Sequence, residues 1–183
     1  MGRLASCAMV VAVVVMLAGC ASPYDVLVAT NASEVSLGDQ SVRVSWKNST
    51  TGVKIIKQEK TSGPQQPTIT SAEEDEASMI GRAVLISLSS YLAKDVSQKM
   101  GHYVATRRQP RYELVLELAS NLVNTQGTRE TVVIAHLHEV SQPKVLWARS
   151  IKITAPRRET ENELVPKFSG AIIEQMKASK LII

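Results

Sequence analysis

The sequence has 183 residues, of which 44% are hydrophobic and 21% are charged, a composition typical of a folded protein and not of a disordered or collagen-like chain. Only 4% of the residues are aromatic and the formal net charge is +4. This composition argues against a platform of several stacking rings for single-stranded nucleic acid or sugars, and against an extended basic surface. It therefore indicates one compact domain that does not bind nucleic acid.

The first twenty residues have the organisation of a signal peptide. Arg3 precedes the apolar run Leu4–Met16, and small residues follow before Cys20. The apolar run is shorter than the roughly 20 residues that a membrane-spanning helix needs. The last four residues of the segment, Leu17–Cys20, read LAGC and resemble the lipobox of bacterial lipoproteins. An ordinary secretory signal that ends near an incidental cysteine is the alternative interpretation.

The lipobox resemblance implies that residues 1–19 are removed and that Cys20 becomes an acylated N-terminus carrying a diacylglyceryl group. Several acyl chains on one residue give a stable membrane anchor. Ala21 and Ser22 stand where an aspartate would resemble an inner-membrane retention signal, which favours the outer membrane and a periplasm-facing domain. The mature chain would then contain no free thiol, because Cys7 leaves with the signal and Cys20 carries the lipid.

The N-terminal part of the mature chain predicts a tether followed by a hairpin. Residues 20–40 indicate a lipidated tether with one short strand at Tyr24–Val28, and residues 41–183 a single domain. Two alternating or β-rich runs, Ser41–Trp46 and Val53–Lys57, flank the turn residues Asn48–Gly52. We therefore expect these two runs to pair as a β-hairpin.

A long amphipathic helix is expected next. Ser71 and Glu74 have capping-box spacing, and Gly101 is a typical residue for the C-terminal stop. Leu85 and Tyr91 are expected to broaden the apolar stripe of this helix. The stripe itself recurs at every fourth residue: Ile80, Val84, Leu88, Leu92, Val96 and Met100.

Three strands and a final helix complete the pattern. The strands, Arg111–Ala119, Thr131–Val140 and Val145–Thr154, are joined by a polar loop and a short turn, which predicts an antiparallel meander. Tyr112, Leu114, Leu116 and Leu118 share one face of the first strand, and Val145, Trp147, Ile151 and Ile153 share one face of the third. The last helix begins near Thr160 and Glu163, again at capping-box spacing, and carries Leu164, Phe168, Ile172 and Met176 at four-residue steps.

These elements predict an α+β fold. The expected architecture is a two-layer sandwich in which two amphipathic helices cover one face of an antiparallel sheet.

Catalysis is not expected from this sequence. The three histidines, His102, His136 and His138, accompany no nucleophile motif, and no phosphate-binding glycine loop is present. His136 and His138 share a strand face, where Glu113 or Glu117 from the neighbouring strand would complete a zinc site; two histidines at this spacing are more often ordinary half-exposed side chains. We therefore predict neither a metal nor a cofactor.

Basic residues fall in two clusters at opposite ends of the predicted meander, one at Arg107, Arg108 and Arg111 and one at Arg157 and Arg158. Together with Glu113 and Glu117 on the exposed face of the first strand, the first cluster is the candidate surface for a binding partner. Contact with a phosphate or lipid headgroup and simple solvation of separate charges are the alternatives.

From residue 79 onward the chain resembles a known group of lipoproteins. The resemblance rests on the helix ending in Gly101–Val104, the strand Tyr112–Leu118, the segment Val145–Trp147 and the final helix. This pattern is similar to that of the small outer-membrane lipoproteins of the YajG and LptE-like kind, whose core resembles the N-terminal domain of TolB.

The lipid anchor, the tether and the lack of a catalytic constellation in the sequence favour a non-enzymatic accessory protein that binds an envelope protein during assembly or transport. The alternative is a lipoprotein that binds a lipid, a glycan or a small molecule between helices and sheet. A pocket lined by Trp147 and Tyr112 would favour the alternative, whereas a filled core with an exposed apolar strip would favour partner binding.

Overall fold

The computed structural model describes residues 24–31, 35–47, 54–56, 79–80, 82–106, 109–124, 127–142 and 144–183. Six strands and two helices follow one another in these ranges. In chain order they are β1 (Asp25–Asn31), β2 (Val42–Lys47), β3 (Lys54–Ile56), α1 (82–100), β4 (Tyr112–Asn124), β5 (Thr128–Glu139), β6 (Val145–Pro156) and α2 (Glu161–Ala178).

The fold is the predicted α+β arrangement of a sheet and two helices. The strand order is β1-β6-β5-β4-β2, and β3 also pairs with β4. Strands β4, β5 and β6 form the expected antiparallel meander, but β2 and β3 lie parallel to β4, so the sheet is mixed and not wholly antiparallel. The chain passes through α1 between β3 and β4, and parallel neighbours require a crossover of this kind.

The predicted hairpin of Ser41–Trp46 with Val53–Lys57 is wrong. Val42–Lys47 pairs with residues 112–117 of β4, and Lys54–Ile56 pairs with residues 122–124 further along the same edge. The chain therefore continues in one direction along β4 instead of reversing. Turn-forming residues such as Asn48 and Gly52 are compatible with a hairpin and also with a break between two strands that run in the same direction. The local sequence does not distinguish these two arrangements.

The segment predicted as a tether contains an edge strand of the sheet. Strand β1 pairs antiparallel with β6, from Asp25 opposite Lys152 to Asn31 opposite Trp147, which confirms the strand expected at Tyr24–Val28. Further along, the backbone N–H of Leu37 donates to the carbonyl of Leu181 at 2.8 Å. The domain therefore includes residues 25–31 and Leu37, so the predicted boundary at residue 41 lies too far along the chain.

The helices and one face of the sheet enclose the hydrophobic core. On β4, Tyr112, Leu114, Leu116 and Leu118 are buried, as their alternation predicts. On α2, Leu164, Phe168, Ile172 and Met176 are buried with them in the same core. We call the opposite side of the sheet the open face; it carries Arg43, Glu113, Val115, Glu117, Val132, Ile134, His136 and His138 at its register positions.

Helix α1 contains a π-helical turn at Leu88–Leu92. Apolar residues spaced by four would rotate by about 40° per step around an α-helix, because each residue turns about 100°. The wider π turn offsets part of that drift. Every residue of the stripe from Val84 to Met100 is buried: Val84, Leu88, Leu92, Val96 and Met100.

Tyr91 departs from the predicted stripe, because its side chain is 59% exposed. It lies within the π turn, on the side away from the core. The predicted C-terminal stop is confirmed: Gly101 follows α1 with φ of 57°, and its N–H donates to the carbonyl of Ser97. The predicted capping box at Ser71 lies outside the described residues.

The strands of the meander are longer than predicted, and the loop Asn121–Arg129 is mostly strand. Asn121 and Thr131 are buried opposite each other, and the Thr131 hydroxyl donates to Asn121 Oδ1 at 3.1 Å. Polar residues in this stretch are therefore hydrogen-bonded inside the sheet. Val145 is exposed and not a core residue, because the register shifts there and pairs it with His138 of the open face.

Helix α2 begins with the predicted capping box. The Thr160 side chain accepts from the backbone at Glu163, and the backbone N–H of Thr160 donates to Glu163 Oε2 at 3.1 Å. At its other end, buried Arg149 of β6 donates to the Ser179 hydroxyl at 2.8 Å and to the backbone carbonyl of Thr30 in β1 at 3.1 Å. Arg149 thus ties β1 to the end of α2.

Candidate functional site

The predicted partner-binding carboxylate Glu113 lies on the open face inside a cross-strand ion pair. Arg43 of β2 contacts both of its oxygens, with Nε 3.1 Å from Oε1 and Nη2 3.0 Å from Oε2. His138 Nε2 is 3.4 Å from Oε2 on the other side. Hydrogen bonding to Arg43 holds the pKa of Glu113 below its ordinary value, although partial burial acts in the opposite direction. Glu113 therefore stays negatively charged, and the positive charge of Arg43 balances it.

The two histidines of the open face are neighbours, with ring centroids 6.0 Å apart. Burial lowers the pKa of His136, and the nearby His138 and Lys47 act in the same direction. Neither histidine has a serine or threonine hydroxyl as a hydrogen-bond partner within the described residues. In the described ranges no three histidine, aspartate or glutamate side chains are grouped to hold a metal ion.

The remaining predicted partner-binding residues also pair across strands where the structure describes them. Glu117 Oε2 is 3.7 Å from Lys47 Nζ. Arg111 Nε is 3.1 Å from Glu139 Oε1, and its guanidinium lies 5.1 Å from the centroid of the Tyr112 ring. Arg107 and Arg108 lie outside the described residues.

Arg111 and Arg157, one described residue from each basic cluster, lie at opposite ends of the sheet. Arg111 pairs with Glu139 at the end of β5, whereas the backbone N–H of Arg157 donates to the carbonyl of Gly127, just before β5 begins. The described part of the first cluster therefore shares no surface with the second.

Three consecutive apolar residues of strand β1 are exposed. Val26, Leu27 and Val28 are 37%, 52% and 59% exposed. Among the described strands β1 pairs with β6 alone, so its second edge has no strand partner. The one charged residue of this strand, Asp25, pairs with Lys152 at 3.1 Å. We call Asp25–Asn31 with its unpaired backbone edge the β1 edge. The sequence predicted a strand here but not its unpaired edge, because an alternating pattern does not show which strands pair.

A concave site, which we call the interhelix groove, lies between α1 and the first turns of α2. It has a volume of about 280 Å³ and is lined by Tyr91, Lys94, Asp95, Gln98, Asn162, Val165 and Pro166. None of these residues was predicted as a site residue. The sequence signal that could have indicated this groove is the four-residue spacing of the α1 stripe, which a wider helical turn near Tyr91 accommodates.

The predicted alternative placed Trp147 and Tyr112 in the lining of a ligand pocket. Both rings are buried in the core, and the indole N–H of Trp147 donates to the Ser179 hydroxyl at 3.0 Å. In the described part of the chain, no helix has the length and hydrophobicity to cross a membrane. Fold and surfaces together define a small α+β domain with a filled core, an open edge strand and a groove between its helices.

No family model and no curated protein matches this sequence. Two solved structures are similar in fold, both PelC dodecamers from Paraburkholderia phytofirmans. The first, a PelC variant, is 16% identical with a TM-score of 0.44 and covers 86% of this chain and 97% of its own; the second is 18% identical with a TM-score of 0.41 and covers 87% and 99%. At these sequence identities and TM-scores, neither a function nor an assembly of PelC is assigned to this chain. The resemblance to YajG- and LptE-like lipoproteins stays a prediction.

Proposed function

We propose that this protein is a lipid-anchored envelope protein of the outer membrane that binds a protein partner without catalysing a reaction. The observation that carries the proposal is the β1 edge. It combines exposed apolar side chains with an unpaired backbone edge, and such edges pair readily with an extended segment of another chain.

The position of β1 in the sequence supports this function. Four residues, 21–24, separate Cys20 from Asp25. At about 3.3–3.6 Å per extended residue, they span at most about 15 Å. A lipid on Cys20 would therefore hold the β1 edge close to the membrane surface, beside proteins embedded in or attached to the same membrane.

The filled core favours partner binding over storage of a ligand inside the domain. Trp147 and Tyr112, which would line such an internal site, pack against other core residues. The non-enzymatic part of the proposal rests on the sequence, in which His102, His136 and His138 accompany no nucleophile motif.

The anchor is tested by Cys20→Ala. We expect this change to leave an uncleaved precursor that no longer fractionates with the outer membrane. Unchanged processing and fractionation of the variant would exclude lipid anchoring at Cys20.

The partner surface is tested by placing a photocrosslinking amino acid at Leu27 in cells that produce the full chain. Ile86 on α1 is the matched control, because it is a similarly exposed apolar residue, 64% against 52%, on another surface. We expect one envelope protein to crosslink from position 27 and not from position 86. Leu27→Lys should reduce its recovery about tenfold or more, because a charge on an edge strand opposes strand addition, while Ile86→Lys should not. Equal recovery with both variants would contradict the proposal.

A further inference from the structure

The interhelix groove presents one exposed aromatic ring over an apolar floor. The π turn of α1 buries Leu88 and Leu92 and directs Tyr91 outward, with 59% of its side chain exposed. Val165 and Pro166 of α2 line the same groove. A flat ring beside small apolar groups suits a ligand that has one apolar ring face.

The polar groups of the groove are placed to bind a ligand. Lys94, Gln98 and Asn162 line it, and none of them has a hydrogen-bond or ion-pair partner among the described residues. Their amide and ammonium groups therefore remain available. π-Helical turns such as the one carrying Tyr91 are frequent at functional sites.

The side chain of Asp95 is held in place by two neighbouring groups. Lys99 Nζ is 3.0 Å from Asp95 Oδ2, and the Ser169 hydroxyl donates to the same oxygen. Partial burial raises the pKa of Asp95, but the hydrogen bonds from Ser169 and Lys99 and the charge of Lys99 outweigh it, so that the pKa lies below its ordinary value. The fixed carboxylate presents its other oxygen, Oδ1, as an acceptor for hydroxyl groups.

We propose that the interhelix groove binds a short neutral saccharide. A sugar ring has an apolar face of C–H groups, which stacks on an aromatic ring, and a rim of hydroxyl groups, which hydrogen-bond to amides and carboxylates. The lining residues carry one positive charge, on Lys94, and one negative charge, on Asp95. Because these charges balance, the groove favours a ligand without net charge. It contains no arginine for two-point binding of a phosphate.

The size of the groove limits the ligand. Its volume of about 280 Å³ is slightly below the usual range for small-molecule sites, about 300–1,000 Å³. A single stacking ring also implies weak binding, of the order of 1 mM. The site therefore suits one or two sugar units, and it is independent of the partner surface at the β1 edge.

The test is a titration of the full ¹⁵N-labelled chain, in a detergent without sugar groups, with maltotriose and with chitotriose. We expect saturable shifts of the amide signals around Tyr91, Gln98 and Asn162 with at least one of the two sugars. Tyr91→Ala should weaken this binding about tenfold or more, since loss of one stacking ring costs about 1–3 kcal/mol, whereas Tyr91→Phe keeps the ring and should stay within about twofold.

The matched control is Ile86→Ala, which removes an exposed apolar side chain one turn earlier on α1 and should leave sugar binding unchanged. Circular dichroism of each variant checks that the helix content is retained. The proposal is overturned if neither sugar gives saturable shifts at the groove, if Tyr91→Ala binds as tightly as the parent chain, or if triglycine binds with the same affinity as the sugar.

Discussion

Neighbouring residues of β4 and β5 enter two different environments, one under the helices and one on the open face. Under the helices, Leu116 and Val133 are packed on all sides within the core. On the open face, Glu113 and Glu117 are held by Arg43 and Lys47 of β2. Stability of the domain is therefore expected to come from the covered face, since exposed ion pairs contribute about 0–1 kcal/mol each.

The exposed groups of the two regions also differ in whether they have partners within the protein. Charged residues of the open face satisfy one another, so they offer few unpaired groups to a partner. The exposed apolar groups instead lie at the perimeter of the fold, at Leu27 on the β1 edge and at Tyr91 on α1. The charge pattern of the sequence therefore led to a predicted partner surface on the open face, whereas these exposed apolar residues lie at the perimeter.

The sharpest test of this comparison places a carboxylate on each side of α1. Leu88→Asp should abolish cooperative thermal unfolding of the native fold, because an unpaired buried charge costs about 3–5 kcal/mol. Ile86→Asp, two residues earlier on the exposed side, should shift the free energy of unfolding by less than about 0.5 kcal/mol. If Leu88→Asp melts like the parent chain, the stripe is an interface and not the core.

Two adjacent valines on β5 give a matched test of the two sheet faces. Val133 lies in the core and is fully buried, whereas Val132 lies on the open face, outside the core cluster, with 9% of its surface exposed. Val133→Ala should lower the free energy of unfolding by about 2 kcal/mol, because it removes apolar contacts and leaves a cavity. Val132→Ala should cost about 1 kcal/mol or less. Chemical denaturation of both variants measures the difference, and equal losses would mean that the open face contributes as much to stability as the core.

Acidification should destabilise the domain through groups of the open face first. The pKa of His136 is lowered by burial, so the fold favours its neutral form, and that contribution is lost as the pH falls below the ordinary histidine value of 6.5. The lowered pKa values of Glu113 and Asp95 favour their charged forms, which stabilise above ordinary values of 4.5 and 3.8 and are lost as the pH falls through the folded values. The melting temperature should therefore fall in two stages, and His136→Gln should remove the first. A melting temperature that rises on acidification would contradict both assignments.

The smallest effect is expected from the outermost ion pair of the open face. Glu117→Gln breaks the contact with Lys47, where Lys47 is largely exposed. We expect a change of about 0.5 kcal/mol or less in the free energy of unfolding, and a smaller one at high salt. A double-mutant cycle with Lys47→Met measures the pair directly, and a coupling above about 1 kcal/mol would show that the open face contributes more than its exposure indicates.

The sequence by itself determined most of the residues that face the core, with Tyr91 and Val145 as exceptions. A period of two on β4 placed Leu114 and Leu116 inward, and the spacing of Thr160 and Glu163 placed the start of α2 within one residue. Both patterns arise from geometry that spans a few neighbouring residues, so local sequence contains them. The same patterns indicated the two-layer α+β fold.

Only the tertiary structure decided how the segments meet. Alternation is the same in a parallel and an antiparallel strand, so Val42–Lys47 could not reveal its parallel pairing with β4, nor Asp25–Asn31 its place at the sheet edge. The interhelix groove joins Tyr91 to Asn162, about seventy positions apart in the chain, through the packing of two helices. Contacts of this kind depend on which apolar faces combine to exclude water, and that choice belongs to the whole chain and not to any segment of it.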